Sequence, residues 1–122
     1  MKIAIPSEGT NLQSNVSQSF GRCEYFVVVD TDINNFEVID NTAISSEGGA
    51  GIKASQSVVD SGAKAVITFH LGQNAADVLN AADIKILKAV QGDIENVVSK
   101  FKSNQLEELT EIHPGYHNHG GK

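Results

Sequence analysis

The stretch Ala65-Val66-Ile67-Thr68-Phe69-His70-Leu71-Gly72-Gln73-Asn74-Ala75 decides how the rest of the chain is read. It opens as a short apolar run rich in β-branched residues, the pattern of a strand buried on both faces. It closes in a glycine and an amide just ahead of a helical pattern over Ala75 to Ala82. A buried parallel strand that runs straight into a helix places ligands beyond its carboxyl end, where helix N-terminal amides and turn side chains converge. His70 stands at that point.

Upstream, Lys2-Ile3-Ala4-Ile5-Pro6 reads as a first strand stopped by proline, and Ser7 to Gln18 as a polar loop. Phe20-Gly21-Arg22-Cys23 leads into the valine-rich strand Glu24 to Asp30. A polar turn, Thr31 to Asn35, joins this strand to Phe36–Asp40 in a β-hairpin. Asn41 to Gly51 ends in Gly48-Gly49-Ala50-Gly51. Ile52, Ser55, Val58 and Val59 then keep helical spacing up to a C-terminal glycine, Gly62. Downstream, Asp83 precedes the apolar run Ile84 to Leu87. Gly92-Asp93 caps a helix carrying Ile94, Val97, Val98 and Phe101, and Leu106 and Leu109 suggest a short turn.

Three strands followed by alternating helix and strand predict an α/β fold. It is a single mixed five-stranded sheet flanked by helices, a three-strand antiparallel meander and then right-handed parallel crossovers. Residues 1–110 form one domain, and 111–122 are expected to be a mobile tail. Strands one, three, four and five point the same way. One rim should therefore collect Gly21-Arg22-Cys23, the 48–51 glycines, His70-Leu71-Gly72 and Gln91-Gly92. A soft thiolate, an imidazole and anion-seeking amides together suit an anionic iron–sulfur or related metallocluster.

At 122 residues and 13.0 kDa the chain has room for one core, and its net charge of −6 with a pI near 5.0 argues against nucleic acid. There is no apolar run of membrane-spanning length and no signal-peptide h-region, so a cytoplasmic protein is expected. A lone cysteine, Cys23, fits a reducing compartment. Asp30, Asp32 and Asp40 surround a hairpin without forming a Mg²⁺-binding set, so nuclease activity is rejected.

Phe20-Gly21-Arg22-Cys23, Gly48-Gly49-Ala50-Gly51-Ile52 and Gly72-Gln73-Asn74-Ala75 resemble, in order and spacing over nearly the whole chain, the dinitrogenase iron–molybdenum cofactor-binding family (NifX/NifB C-terminal-like). The resemblance implies a ribonuclease H-like fold. It also implies a non-catalytic carrier of an iron–sulfur-type or iron–molybdenum cofactor-like cluster, with donor and acceptor proteins as partners and a monomer or homodimer as the working form. The family usually carries a histidine where Ser19 stands, and glycines where Phe69 and Asp83 stand.

The candidate cofactor-binding residues are Arg22, Cys23, Gly48, Gly49, Gly51, His70, Gly72 and Asn74. The candidate metal ligands are Cys23, His70, His113, His117 and His119. Cys23, beside Arg22 at the start of a strand, is expected to be partly exposed with a lowered pKa. Two other readings stand beside the carrier. One is a regulatory or interaction domain that has lost the cluster and binds divalent metal weakly through its histidine tail. The other is an enzyme with Cys23 as nucleophile and His70 as base, for which no orienting carboxylate is evident.

Overall fold

A computed structural model of the chain describes residues 1–45 and 48–112. The strands are β1 (Lys2–Ser7), β2 (Tyr25–Asp30), β3 (Asn35–Asp40), β4 (Ala65–Thr68) and β5 (Lys85–Lys88). The helices are α1 (Ala50–Asp60), α2 (Gln73–Ala81) and α3 (Ile94–Lys102), and a 3₁₀ turn spans Thr42–Ser45. The sheet order is β3-β2-β1-β4-β5, antiparallel on the hairpin side of β1 and parallel on the other. This is the expected mixed sheet with β1 at its centre.

Alternation along the strands divides the core into two layers. Ala4, Phe26, Val28 and Val66 face α1 and α2, where Ala54, Val58, Ala76 and Leu79 meet them. Ile3, Ile5, Val27, Val29 and Ile67 face α3 through Ile94, Val97 and Val98. Two helices therefore cover one face and one helix covers the other. Every residue in these two sets is buried.

Three details differ from the sequence reading. β1 continues through Pro6 to Ser7, because the ladder to β4 involves only Ile3 and Ala4, and Pro6 pairs toward β2 opposite Phe26. A missing N–H costs nothing where no ladder bond is required of it. Leu106 and Leu109 belong to no helical turn. Their segment runs alongside β5, with the Lys88 amide donating to the Glu107 carbonyl and the Leu109 amide to that of Ile86, 2.8 and 3.0 Å. Both helices preceding β4 and β5 begin earlier than their apolar spacing suggests, since the glycine-rich starts are already helical.

Asp83 holds φ at 59°, a left-handed turn between α2 and β5 that glycine adopts without strain. The backbone thus accounts for the glycine usual at this position in the resembling family, and aspartate is among the side chains that tolerate the region.

Ile67 is fully buried in the α3-facing layer. Ile67→Ala should cost about 2–5 kcal/mol in a urea titration. A loss under about half a kilocalorie per mole would contradict this packing.

Candidate functional site at the carboxyl rim

The rim is assembled around a close backbone-to-backbone approach at Gly21. A Cβ placed on Gly21 would lie 3.1 Å from the Gly51 nitrogen and 3.2 Å from its Cα, so the loop before β2 rests directly on the first turn of α1. A Cβ on Gly51 would in turn lie 3.5 Å from the Ala75 Cβ, which brings the first turns of α1 and α2 side by side. Ser55 ties them together, its hydroxyl donating to the carbonyls of Gly51 and Ala75 at 2.8 and 3.3 Å. The loop before β2, the start of α1 and the start of α2 therefore meet at one edge, as the topology required.

These helix starts are chemically open. The N-cap of α1 is Gly49, left-handed at φ 68°, and that of α2 is Gly72; neither supplies a side-chain cap. The first intrahelical bonds run from Lys53 to Gly49 and from Ala76 to Gly72, so the amides of Ala50 to Ile52 and of Gln73 to Ala75 precede the helical ladders. Unshared first-turn amides and the positive ends of two helix dipoles favour an anion.

The third helix is closed. Asp93 accepts from the Asn96 amide at 2.8 Å, and the amides of Ile94 and Glu95 donate to the carbonyls of Ser14 and Leu12, both at 2.9 Å. Gln91-Gly92 therefore reaches the rim topologically but offers it no open helix start.

Arg22 and His70 are exposed at this edge, and both have interaction partners. The Arg22 amide is fixed by the Ser19 hydroxyl at 3.0 Å, and the His70 carbonyl accepts from the Thr68 hydroxyl at 3.2 Å. Gly48, Gly49, Gly72 and Asn74 are also exposed, and Gly51 is half-buried between its neighbours. His113, His117 and His119 lie outside the described residues.

Cys23 overturns its expected character. It is 2% exposed and belongs to the apolar layer beneath α1 and α2. Its thiol donates to the Phe20 carbonyl at 3.3 Å, and the Asn41 amide approaches the sulfur at 3.7 Å. Burial pushes the thiol pKa up to about 12 from an ordinary 9.0, against smaller lowering by a Ser7 backbone hydrogen bond and by Asn41. The neighbouring Arg22 is not among the groups that act on the thiol. No group of three or more His, Cys, Asp or Glu side chains among the described residues is placed to hold a metal ion. Thiolate ligation does not fit this site as it stands, whereas the open amides fit an anion.

Asn41 was missed by the sequence reading. Buried at the end of β3, it donates to the carbonyls of Gly21 and Cys23 at 3.0 and 2.8 Å and accepts from the Ala43 amide at 3.2 Å. Its side chain holds the Gly21–Cys23 loop against the helices. An Asx residue directly after a strand was the available signal.

Fold and rim together define a small mixed-sheet α/β domain with two open helix starts at one edge. The chain belongs to the dinitrogenase iron-molybdenum cofactor family, whose profile matches residues 1–104. The apo form of the orange protein from Desulfovibrio gigas superimposes with a TM-score of 0.86 at 33% identity, over 89% of this chain and 92% of that one. A Thermotoga protein provisionally named NifB gives 0.80 at 40% identity, over 91% and 95%. An uncharacterized protein of Methanocaldococcus jannaschii is 32% identical over 112 residues, 89% of this chain and 92% of that protein.

Two outcomes follow for the rim. Gly21→Ala should destabilise by about 1–3 kcal/mol, because the added methyl would press on helix backbone at 3.1 and 3.2 Å; a neutral result in urea would remove the close-approach argument. The Cys23 thiol keeps its proton in the folded state above the pH at which the unfolded chain releases it. Its contribution to stability is therefore complete below pH 9 and is lost as pH rises toward about 12. Thermal midpoints of wild type and Cys23→Ala should converge over that window, and parallel curves would contradict the buried thiol.

Proposed function

We propose that this domain holds and hands on an anionic iron–sulfur-type metallocluster, as a carrier and not a catalyst. The observation that carries the reading is the pair of uncapped helix starts, α1 at Gly49 and α2 at Gly72, set side by side at the rim. A cluster bearing sulfide and negative charge finds there several amide donors and two dipole ends without any covalent ligand. Arg22 adds charge and His70 an imidazole at the same edge, and Gly48, Gly51 and Asn74 shape the approach. Membership of a family named for the dinitrogenase iron-molybdenum cofactor supports the cargo class.

Within this reading Cys23 is a structural thiol beneath the site. Its thiol donates to the Phe20 carbonyl, Asn41 approaches the sulfur, and burial holds its pKa up at about 12, which disfavours a nucleophilic thiolate. Among the described residues no helix is long and apolar enough to cross a membrane. Donor and acceptor proteins, and work in the cytoplasm, complete the proposal.

One substitution separates cargo binding from folding. Gly72 has extended backbone at φ −83°, the usual N-cap conformation, and a Cβ there meets nothing within 4 Å. Gly72→Asp should cap α2 and raise stability by about 0.5–1 kcal/mol. The same carboxylate would occupy the open amides and repel an anion. After anaerobic reconstitution with iron and sulfide, this variant should lose visible absorbance and bound iron, whereas Cys23→Ala should keep them. Retention by Gly72→Asp with loss by Cys23→Ala would overturn the assignment.

A further inference from the structure

The described chain ends beside a groove that leads back to the rim. After α3 the segment 107–109 runs antiparallel to β5, with Glu107 bonded to Lys88 and Leu109 to Ile86. The chain therefore moves away from the rim as it proceeds. Ile112 comes to lie with Asp83 and Ile84 in a groove of about 370 Å³. Gln73, Ala76 and Asn80 line the same groove, and their spacing of three and four places them on one face of α2. Gln73 opens α2 at the rim, so the groove joins the exit of the described chain to one of the two open helix starts.

The sequence beyond Ile112 is unlike the rest. Residues 113–122 hold three of the chain's four histidines together with Lys122, and none of its 15 acidic residues. The groove has an apolar part at Ile86 and Leu109, and its charged groups are Asp83 and Glu108 against Lys85. A stretch without carboxylates suits such a lining, in which two carboxylates face one ammonium. Among the described residues no group of three or more His, Cys, Asp or Glu is placed to hold a metal ion.

We propose that residues 113–122 fold back along this groove and bring His117 and His119 to the first turn of α2, where their neutral imidazoles ligate metal ions of the cargo. This role rests on the cargo reading given above, and it adds metal ligands to amides that hold only the anion's charge. Pro114-Gly115 is the central pair of a type II turn, proline setting the first φ and glycine the positive second one, which reverses the chain after His113. From Asn80 to Gln73 the helix rises about 10 Å, and an extended chain covers about 3.3 Å per residue. Residues 116–119 therefore span the distance, with His117 and His119 on one side of the extended chain and Tyr116 on the other. The groove begins where the described chain ends. A tethered segment meets it at a roughly millimolar effective concentration, ahead of a free partner.

The full chain, ¹⁵N-labelled and free of cluster, is titrated with Cu²⁺, a paramagnetic ion that imidazoles bind. Amides after Ile112 and those of Gln73, Asn74 and Ala75 should broaden together. The double variant His117→Ala, His119→Ala should abolish both sets. Broadening confined to the chain after Ile112 would overturn the docking. So would broadening at α2 that survives the double variant, since the ion would then sit on His70. After anaerobic reconstitution with iron and sulfide, the double variant should lose iron to a chelator at least about tenfold faster than wild type, and an equal rate would overturn the ligand role. A wild type that takes up no cluster yet shows the Cu²⁺ pattern would refute the cargo reading and leave the docked segment in place.

Discussion

The rim depends on one contact, the backbone of Gly21 lying against the first turn of α1 at Gly51. A side chain at Gly21 would push the loop before β2 away from the first turn of α1. The contact is held from two sides. Asn41 binds the carbonyls of the Gly21–Cys23 loop from the end of β3, and Ser55 joins the two helix starts from within α1. Loss of one such buried partner leaves carbonyls unsatisfied at about 1–3 kcal/mol. Asn41 and Ser55 therefore act as fasteners of backbone.

This arrangement explains why one end of the fold can be open while the whole remains well packed. Sheet and helices bury two continuous apolar layers whose stability does not need the helix caps at Gly49 and Gly72. An uncapped helix start forgoes roughly 0.5–2 kcal/mol relative to a good cap. The domain carries two of these at one edge and closes the third, α3, with both Asp93 and the loop after β1. Such a distribution is what a site for an anion requires.

Much of this was legible in the sequence because it followed from period and order. The β-branched run Ala65–Thr68, the hairpin around Thr31 to Asn35 and the helical spacing of Ile94, Val97, Val98 and Phe101 specify the elements, and right-handed crossovers then specify the sheet order. Convergence of the glycine-rich loops came from the same reasoning. What period could not supply was the direction of a single side chain outside a regular element. Cys23 lies two residues before β2, where no alternation applies, and Asn41 and Phe20 turn its thiol inward. The cap at Asp93 was legible, but the loop that completes the closure of α3 arrives from residues 12 to 14 and was not. Asn41 and Ser55 escaped notice because their importance lies in carbonyls distant in sequence.

The central claim is that the first-turn amides of α1 and α2 hold the cargo. Paramagnetic broadening of ¹⁵N–¹H signals on loading with an iron–sulfide cluster tests it most directly, since broadening falls steeply with distance from the metal. The account predicts loss of the Ala50, Gly51, Ile52, Gln73, Asn74 and Ala75 amides, while the strand starts at Lys2, Lys64 and Lys85 stay sharp. Broadening centred on the strand starts, or confined to the chain after Ile112 with the two helix starts intact, would contradict it.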